Sequence, residues 1–234
     1  MDNYSKPLTS LAFTDATLSS MKWLAVALMV IDHVGKYVFK DAYPWMYAAG
    51  RLSMPLFAFV VGYNLARPEM RTHGALERFG TRLFFCALLA TPAFIALNKL
   101  PAGWWPLNML FTFGVAVATV WALRGTAWWN YAAAPLIFLC GGALVEFWWP
   151  AIALVLCVYW FQRFPSRLAA SCVFLSVLSL WVINGNHWAL LAIPLIAFLS
   201  RWRFALPRAK WFFYAFYPAH LYALWAIAAF QLRG

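Results

Sequence analysis

The sequence predicts an all-α fold, a polytopic integral membrane bundle of about nine transmembrane helices. Three observations predict it. Of 234 residues, 65% are hydrophobic and only 11% carry charge, whereas a soluble domain carries about 25%. Water cannot solvate such a surface, so lipid must be the solvent. Aromatic residues reach 20%, with 15 Trp, in keeping with the Trp and Tyr that gather at membrane interfaces. Finally, apolar stretches of spanning length alternate with short basic clusters.

In order, the candidate spans are Lys22–Phe39, Tyr47–Ala66, Phe79–Leu97, Leu107–Leu123, Trp129–Val145, Phe147–Phe161, Leu168–Ile183, Trp188–Leu199 and Trp211–Ala229. The sixth and eighth are short, as tilted, broken or re-entrant segments would be. No repeat, low-complexity tract or linker divides them, so 1–234 reads as a single transmembrane domain with a polar cytoplasmic tail over 1–20. That tail is too polar for a secretory signal, and the first span is expected to be retained.

Lys and Arg assign the sides. With the N-terminus inside, 13 of the 18 fall on inner segments: Lys6, Lys22, Arg67, Arg71, Arg78, Arg82, Arg124, Arg163, Arg167, Arg201, Arg203, Arg208 and Lys210. Lys36, Lys40, Arg51, Lys99 and Arg233 fall outside. The positive-inside rule then gives an N-in, C-out topology. The net charge of +11 is accounted for by topology, and nucleic acid, which needs a solvated basic face, is not an expected partner. Cys86, Cys140, Cys157 and Cys172 lie inside apolar segments without metal-ligand spacing and read as small core residues.

Three of the outer charges, Lys36, Lys40 and Arg51, flank one short stretch holding Asp32 and His33. Ionisable groups at membrane depth are costly, and convergence of several marks a functional site. Lys22 and His33 are eleven residues apart, which puts them on nearly one helix face with a rise of roughly 16 Å between them. Lys22 is thus expected at the inner interface and His33 near mid-depth. Neutral imidazole accepts protons near neutral pH, so His33 suits general-base work. Asp32 points about 100° away from His33, and Lys36 or Arg51 is its better partner. A purely structural network of Asp32, Lys36 and Arg51 is the alternative.

In the second span, Pro55 frees a carbonyl near Arg51 and is expected to bend the helix. Gly50 and Gly62 read as close-packing positions, and Asn64 adds a polar group. In the last span His220 lies ten residues beyond Lys210, roughly 15 Å deep, at the level of His33. Tyr217 shares its face at i,i+3. Asn108 and Glu146 are further candidates for lining the site, while His73 and His187 read as solvated. There is no metal motif, phosphate-binding glycine loop or nucleophile elbow. The inner arginines could hold an anionic phosphorylated cofactor or merely set topology.

The stretch Val26-Ala-Leu-Met-Val-Ile-Asp32-His33, followed by Trp45-Met-Tyr-Ala-Ala-Gly50-Arg51-Leu-Ser-Met-Pro55-Leu-Phe-Ala-Phe-Val-Val-Gly62-Tyr-Asn64-Leu-Ala-Arg67, closely resembles the TraX family of conjugal transfer proteins. Asn108-Met-Leu-Phe-Thr-Phe-Gly and Phe213-Tyr-Ala-Phe-Tyr-Pro218-Ala-His220-Leu look like its later motifs. The likeness is dense over about the first 115 residues and the final helix. It implies a bacterial inner-membrane acetylase that modifies the N-terminal amine of processed conjugative pilin, with acetyl-CoA as donor. The spacing Lys22-x10-His33 also resembles the basic-x10-His pattern of membrane acyltransferases acting on cell-surface sugars, with Lys in place of the commoner Arg.

On that resemblance His33 is the catalytic residue, assisted by Asp32 and Arg51, and Lys22, Arg67, Arg71, Arg78 and Arg82 hold acetyl-CoA. Asn64, Asn108, Tyr217, His220 and Glu146 line the site. Two other classes stay open. A proton-coupled transporter would use Asp32, His33 and Glu146 as a relay. A non-catalytic membrane partner or chaperone of pilin assembly would tolerate loss of His33.

Overall fold

Helix starts and stops follow local chemistry. The first helix, α1 (Asp15–Tyr37), begins where the Thr14 hydroxyl accepts the Thr17 N–H at 3.1 Å, with Asp15 in its first turn. It starts at Asp15 rather than Lys22, and Thr17, Leu18, Ser19 and Ser20 are buried. The polar tail expected over 1–20 therefore ends sooner, because small hydroxylated side chains pack inside the bundle. The computed structural model describes residues 12–72, 74–98, 100, 102–201, 206 and 209–231. His73, Lys6, Lys99, Arg203, Arg208 and Arg233 lie outside the described residues, as does the Lys210 side chain.

The expected second span is broken into α2 (Pro44–Gly50) and α3 (Ser53–Ala66). Pro55 has no N–H and its ring excludes the carbonyl of residue i−4, which is Arg51. The interruption accordingly falls at Arg51–Leu52, and Pro55 sits in the first turn of α3, where N–H groups lack helical partners anyway. Helix α3 ends at Arg67, which is extended before Pro68. A short 3-10 turn over Pro68–Arg71 leads to α4 (Ala75–Asn98).

Next come α5 (Met109–Arg124), α6 (Trp128–Leu144) and α7 (Trp148–Arg163). An isolated bridge pairs Leu107 with Val145. Phe147 and Trp148 adopt left-handed φ of 63° and 46°, a costly turn for such residues that reverses the chain directly after Glu146. The seventh expected span divides into α8 (Arg167–Ser179) and α9 (Trp181–Asn184), which Gly185 terminates at φ 65°. The eighth is a 3-10 turn, Trp188–Leu191, followed by α10 (Ala192–Leu199). The last is α11 (Lys210–Gln231).

Among the described residues, four stretches are long and apolar enough to cross a membrane: Asp15–Tyr37, Ala75–Asn98, Arg167–Asn184 and Trp211–Gln231. The other expected spans coincide with helices shorter than that or broken ones. Large apolar side chains face outward as well as inward; Trp128 and Phe230 are each 82% exposed. An apolar exterior of this extent suits lipid and not water.

The core is centred on α3, apolar all round and buried along most of its length. It packs on α7 and α1, α11 packs on α4, and α5 joins α4 to α6. Arg124, at the end of α5, donates to the carbonyls of Leu65 (2.6 Å) and Met70 (2.7 Å). Beyond any part in topology, it satisfies one carbonyl at the end of α3 and one in the 3-10 turn that follows. Gly62 lets α3 meet α7: a Cβ there would lie 2.6 Å from the Val155 carbonyl oxygen. Gly62→Leu is expected to lower stability by about 1–3 kcal/mol, as overpacking does. Thermal unfolding in detergent tests this, and an unchanged midpoint would show that α3 and α7 do not pack closely here.

Candidate functional site

Two cavities lie along α1 and meet near its middle. The first, of about 420 Å³, is at the C-terminal end and is lined by Asp32, His33, Lys36, Arg51 and Glu146 among others. The second, of about 680 Å³, is at the N-terminal end and includes Lys22, Asn64, Arg67, Arg78 and Arg82. Met29, Met109 and Tyr217 line both. The roughly 16 Å rise between Lys22 and His33 thus separates one cavity from the other on a single helix face.

Asp32 and Arg51 form the first cavity's ion pair. Both carboxylate oxygens lie 2.6 Å from Arg51 Nη2, and each side chain is 14% exposed. The guanidinium lies over the Tyr47 ring at 4.2 Å, and its Nη1 donates to Asn184 Oδ1 at 3.3 Å. The Tyr47 hydroxyl donates to the Asn184 carbonyl at 2.8 Å. Gly50 is required beside this pair, because a Cβ would collide with the Asp32 side chain. Lys36 takes no part in the ion pair; its ammonium donates to Asn98 Oδ1 at 2.7 Å, as does the Tyr37 hydroxyl. A network uniting Asp32, Lys36 and Arg51 by hydrogen bonds is therefore not what forms.

His33 contacts His220. Its Nδ1 lies 2.8 Å from His220 Nε2, with the rings nearly parallel at 8°. His220 in turn has Nδ1 3.0 Å from the Phe216 carbonyl oxygen, one turn earlier on α11. Phe216 stacks on the His220 ring and Tyr217 meets it edge-on. The i,i+3 spacing of Tyr217 and His220 gives this shared face.

Glu146 sits in the turn between α6 and α7, where burial pushes its carboxyl up to about 7 against the pull of Lys36 and Arg51.

In the second cavity Lys22 lies over the Phe213 ring at 4.7 Å, and Arg82 over Trp211 at 4.9 Å. Arg67 is paired with Asp15 at 2.7 Å and with Glu69 at 3.5 Å. The cavity therefore holds four cationic side chains, two carboxylates and an aromatic wall from α11. Arg71, expected with this group, instead ends the 3-10 turn exposed and does not line it. The turn swings it outward after Pro68.

Three further expected positions differ: His220 lines neither cavity and meets the first only through its contact with His33. Asn64 lines the second cavity and not that of His33. Asn108 lines neither: it caps α5, accepting the Leu110 N–H at 3.1 Å and donating to the Ala87 carbonyl at 2.9 Å. An Asn just before an apolar helix is a capping signal, and that reading was available from the sequence. Asn98, Asn184, Met29 and Met109 are contributors the sequence reading missed, and only Met29, a few residues before His33, had a local signal. Among the described residues, no three His, Cys, Asp or Glu side chains gather as metal ligands.

The fold and site define a helical membrane protein with two cavities that share part of their lining, the first lined by His33, which contacts His220 behind it. Residues 17–228 match the TraX protein family, and the chain belongs to that family. It is 29% identical to a Protein TraX of Escherichia coli over 224 residues, covering 89% of this chain and 86% of the relative. A second Protein TraX, from Escherichia coli strain K12, is 31% identical over 124 residues, 53% of this chain and 47% of that protein. An uncharacterized protein of Rickettsia prowazekii strain Madrid E is 35% identical over 80 residues, about a third of each chain. No solved structure matches.

Removing one member of a buried ion pair strands the other charge, at about 3–5 kcal/mol. Arg51→Met is expected to destabilise by that order, and the double variant Asp32→Asn with Arg51→Met to recover part of the loss. A double-mutant cycle on thermal midpoints measures it; additive losses would show that the pair carries no coupling.

Proposed function

We propose that this chain is an inner-membrane acetyltransferase of a conjugative transfer system, moving an acetyl group from acetyl-CoA to the N-terminal amine of processed pilin. Membership of a family of conjugal transfer proteins supports a role in conjugation and pilin processing. The observation that carries the chemistry is that His33 lines a cavity which shares Met29, Met109 and Tyr217 with a second cavity of basic character. In this reading the N-terminus is inside and the second cavity opens to the cytoplasm.

Acetyl-CoA is anionic at its nucleotide end and apolar along its arm. A cavity with Lys22, Arg78 and Arg82 at one end and Met29, Met109 and Tyr217 at the other fits both properties. Arg67, in the same cavity, faces Asp15 and Glu69. The acceptor ammonium approaches through the first cavity, whose lining holds Asp32, Asp41 and Glu146 beside Lys36 and Arg51. Its nitrogen must shed two protons as the amide forms. One passes to His33, which makes the amine nucleophilic. The C–N bond then forms at the thioester carbonyl, the C–S bond breaks, and the second proton leaves with sulfur as thiol.

The developing oxyanion needs a donor near the junction. Tyr217 lines both cavities, and its phenolic O–H can donate there. Asn64 and Arg51 each face only one cavity.

Two cavities that share Met29, Met109 and Tyr217 would also suit a substrate path with alternating access, so a proton-coupled transporter is the second reading. It predicts solute flux in proteoliposomes without acetyl-CoA.

Intact mass of co-expressed pilin tests the first reading. The wild-type protein is expected to add one acetyl group, and His33→Ala to lower the rate by about 10²–10⁴-fold, the range for a general base. Acetylation at the parental rate by His33→Ala would sink it. Arg78→Ala and Arg82→Ala are expected to raise the KM for acetyl-CoA by roughly ten- to hundred-fold, a charge-assisted bond being worth about 1.5–3 kcal/mol. Arg71→Ala should leave it unchanged, and equal effects of all three would place the donor elsewhere.

A further inference from the structure

We infer that His220 is a positioning residue: it holds His33 as the tautomer protonated on Nδ1, so that Nε2 presents a lone pair to the first cavity. The inference rests on the acetyltransferase reading for its catalytic consequence, but its geometry stands apart from that reading.

The Phe216 carbonyl oxygen can only accept, so at 3.0 Å His220 Nδ1 must carry a hydrogen and donate. In a neutral imidazole the other nitrogen then has the lone pair, which makes His220 Nε2 an acceptor. At 2.8 Å from it, His33 Nδ1 is consequently the donor. By the same rule the lone pair of a neutral His33 lies on Nε2. His33 lines the first cavity and His220 does not, so the basic nitrogen belongs to the residue that substrate can reach.

A doubly protonated His220 would reverse the order, because both its nitrogens would donate and His33 Nε2 would hold a hydrogen. Among the described residues no carboxylate lies within hydrogen-bond distance of either ring, whereas the cations Lys36 and Arg51 share the first cavity with His33. A buried imidazolium without an anionic partner is strongly disfavoured, so the neutral arrangement holds at rest.

Proton balance is simple in this arrangement. His33 Nε2 takes one proton from the acceptor ammonium, and the resulting imidazolium keeps its Nδ1–H bond to His220 Nε2. No second proton moves along the chain. His220 therefore orients the base and supports its charged form through a neutral acceptor, the role a carboxylate plays in a Ser-His-Asp triad.

The test combines nitrogen NMR with kinetics. Protein labelled with ¹⁵N-histidine in nanodiscs contains four histidines, and the His33 signals are assigned by their loss in His33→Ala. The wild-type protein is expected to show His33 protonated on Nδ1 only; protonation on Nε2 in the resting protein would overturn the inference. His220→Leu should shift His33 toward the Nε2–H tautomer and lower kcat by roughly 10²-fold with little change in the KM for acetyl-CoA. His220→Gln, whose amide oxygen can accept from His33 Nδ1, should keep the tautomer and recover most of the rate. Equal losses in both variants, or an unchanged tautomer in His220→Leu, would refute a positioning role. If His33→Ala still acetylates pilin, the catalytic reading fails while the tautomer result remains.

Discussion

The ion pair between Asp32 and Arg51 is the interaction on which the site's construction turns. Arg51 stands at the interruption between α2 and α3, where Pro55 has removed the option of a continuous helix. A broken helix inside the bundle leaves backbone groups and a guanidinium that an apolar interior cannot solvate. Asp32 of α1 answers the charge, Asn184 and the Tyr47 ring complete its surroundings, and Gly50 permits the approach. The pair thereby locks α1 to the broken element, and with α1 fixed, His33 is one residue along and on a different face.

From that anchor the two cavities follow. Helix α1 runs between them, carrying Lys22 into one and His33 into the other, with Met29 at the junction. Helix α11 closes the arrangement from the opposite side. Its aromatic face walls the basic cavity, Tyr217 reaches both, and His220 meets His33. The proposed division of labour between donor and acceptor needs this geometry: the acetyl group must be reachable from both sides while the bulk of each substrate stays apart.

Much of this was legible in the chain. Period and depth arguments put Lys22 and His33 on one face, and His33 and His220 at one level, because helical rise is constant. Gly50 and Gly62 read as close approaches, and both are. The basic residues expected to hold a donor divide as local structure dictates: Lys22, Arg78 and Arg82 project from long helices into the cavity. Arg71 follows Pro68 in a 3-10 turn and leaves it. Asn108 was misread because a polar residue in an apolar run looks like a site member, when a cap satisfies the same chemistry.

The sequence by itself determined the solvent, the helical class, the apolar segments and the polar residues placed at depth, since these depend on composition and on distance along a helix. Only the tertiary structure decided partners. That Asp32 takes Arg51 and not Lys36, that His33 takes His220 at a sequence separation of 187, and that one helix separates two cavities are facts about packing between remote elements. Hydropathy carries no information about which helices become neighbours, because lipid accepts any apolar face equally and close packing alone chooses among them.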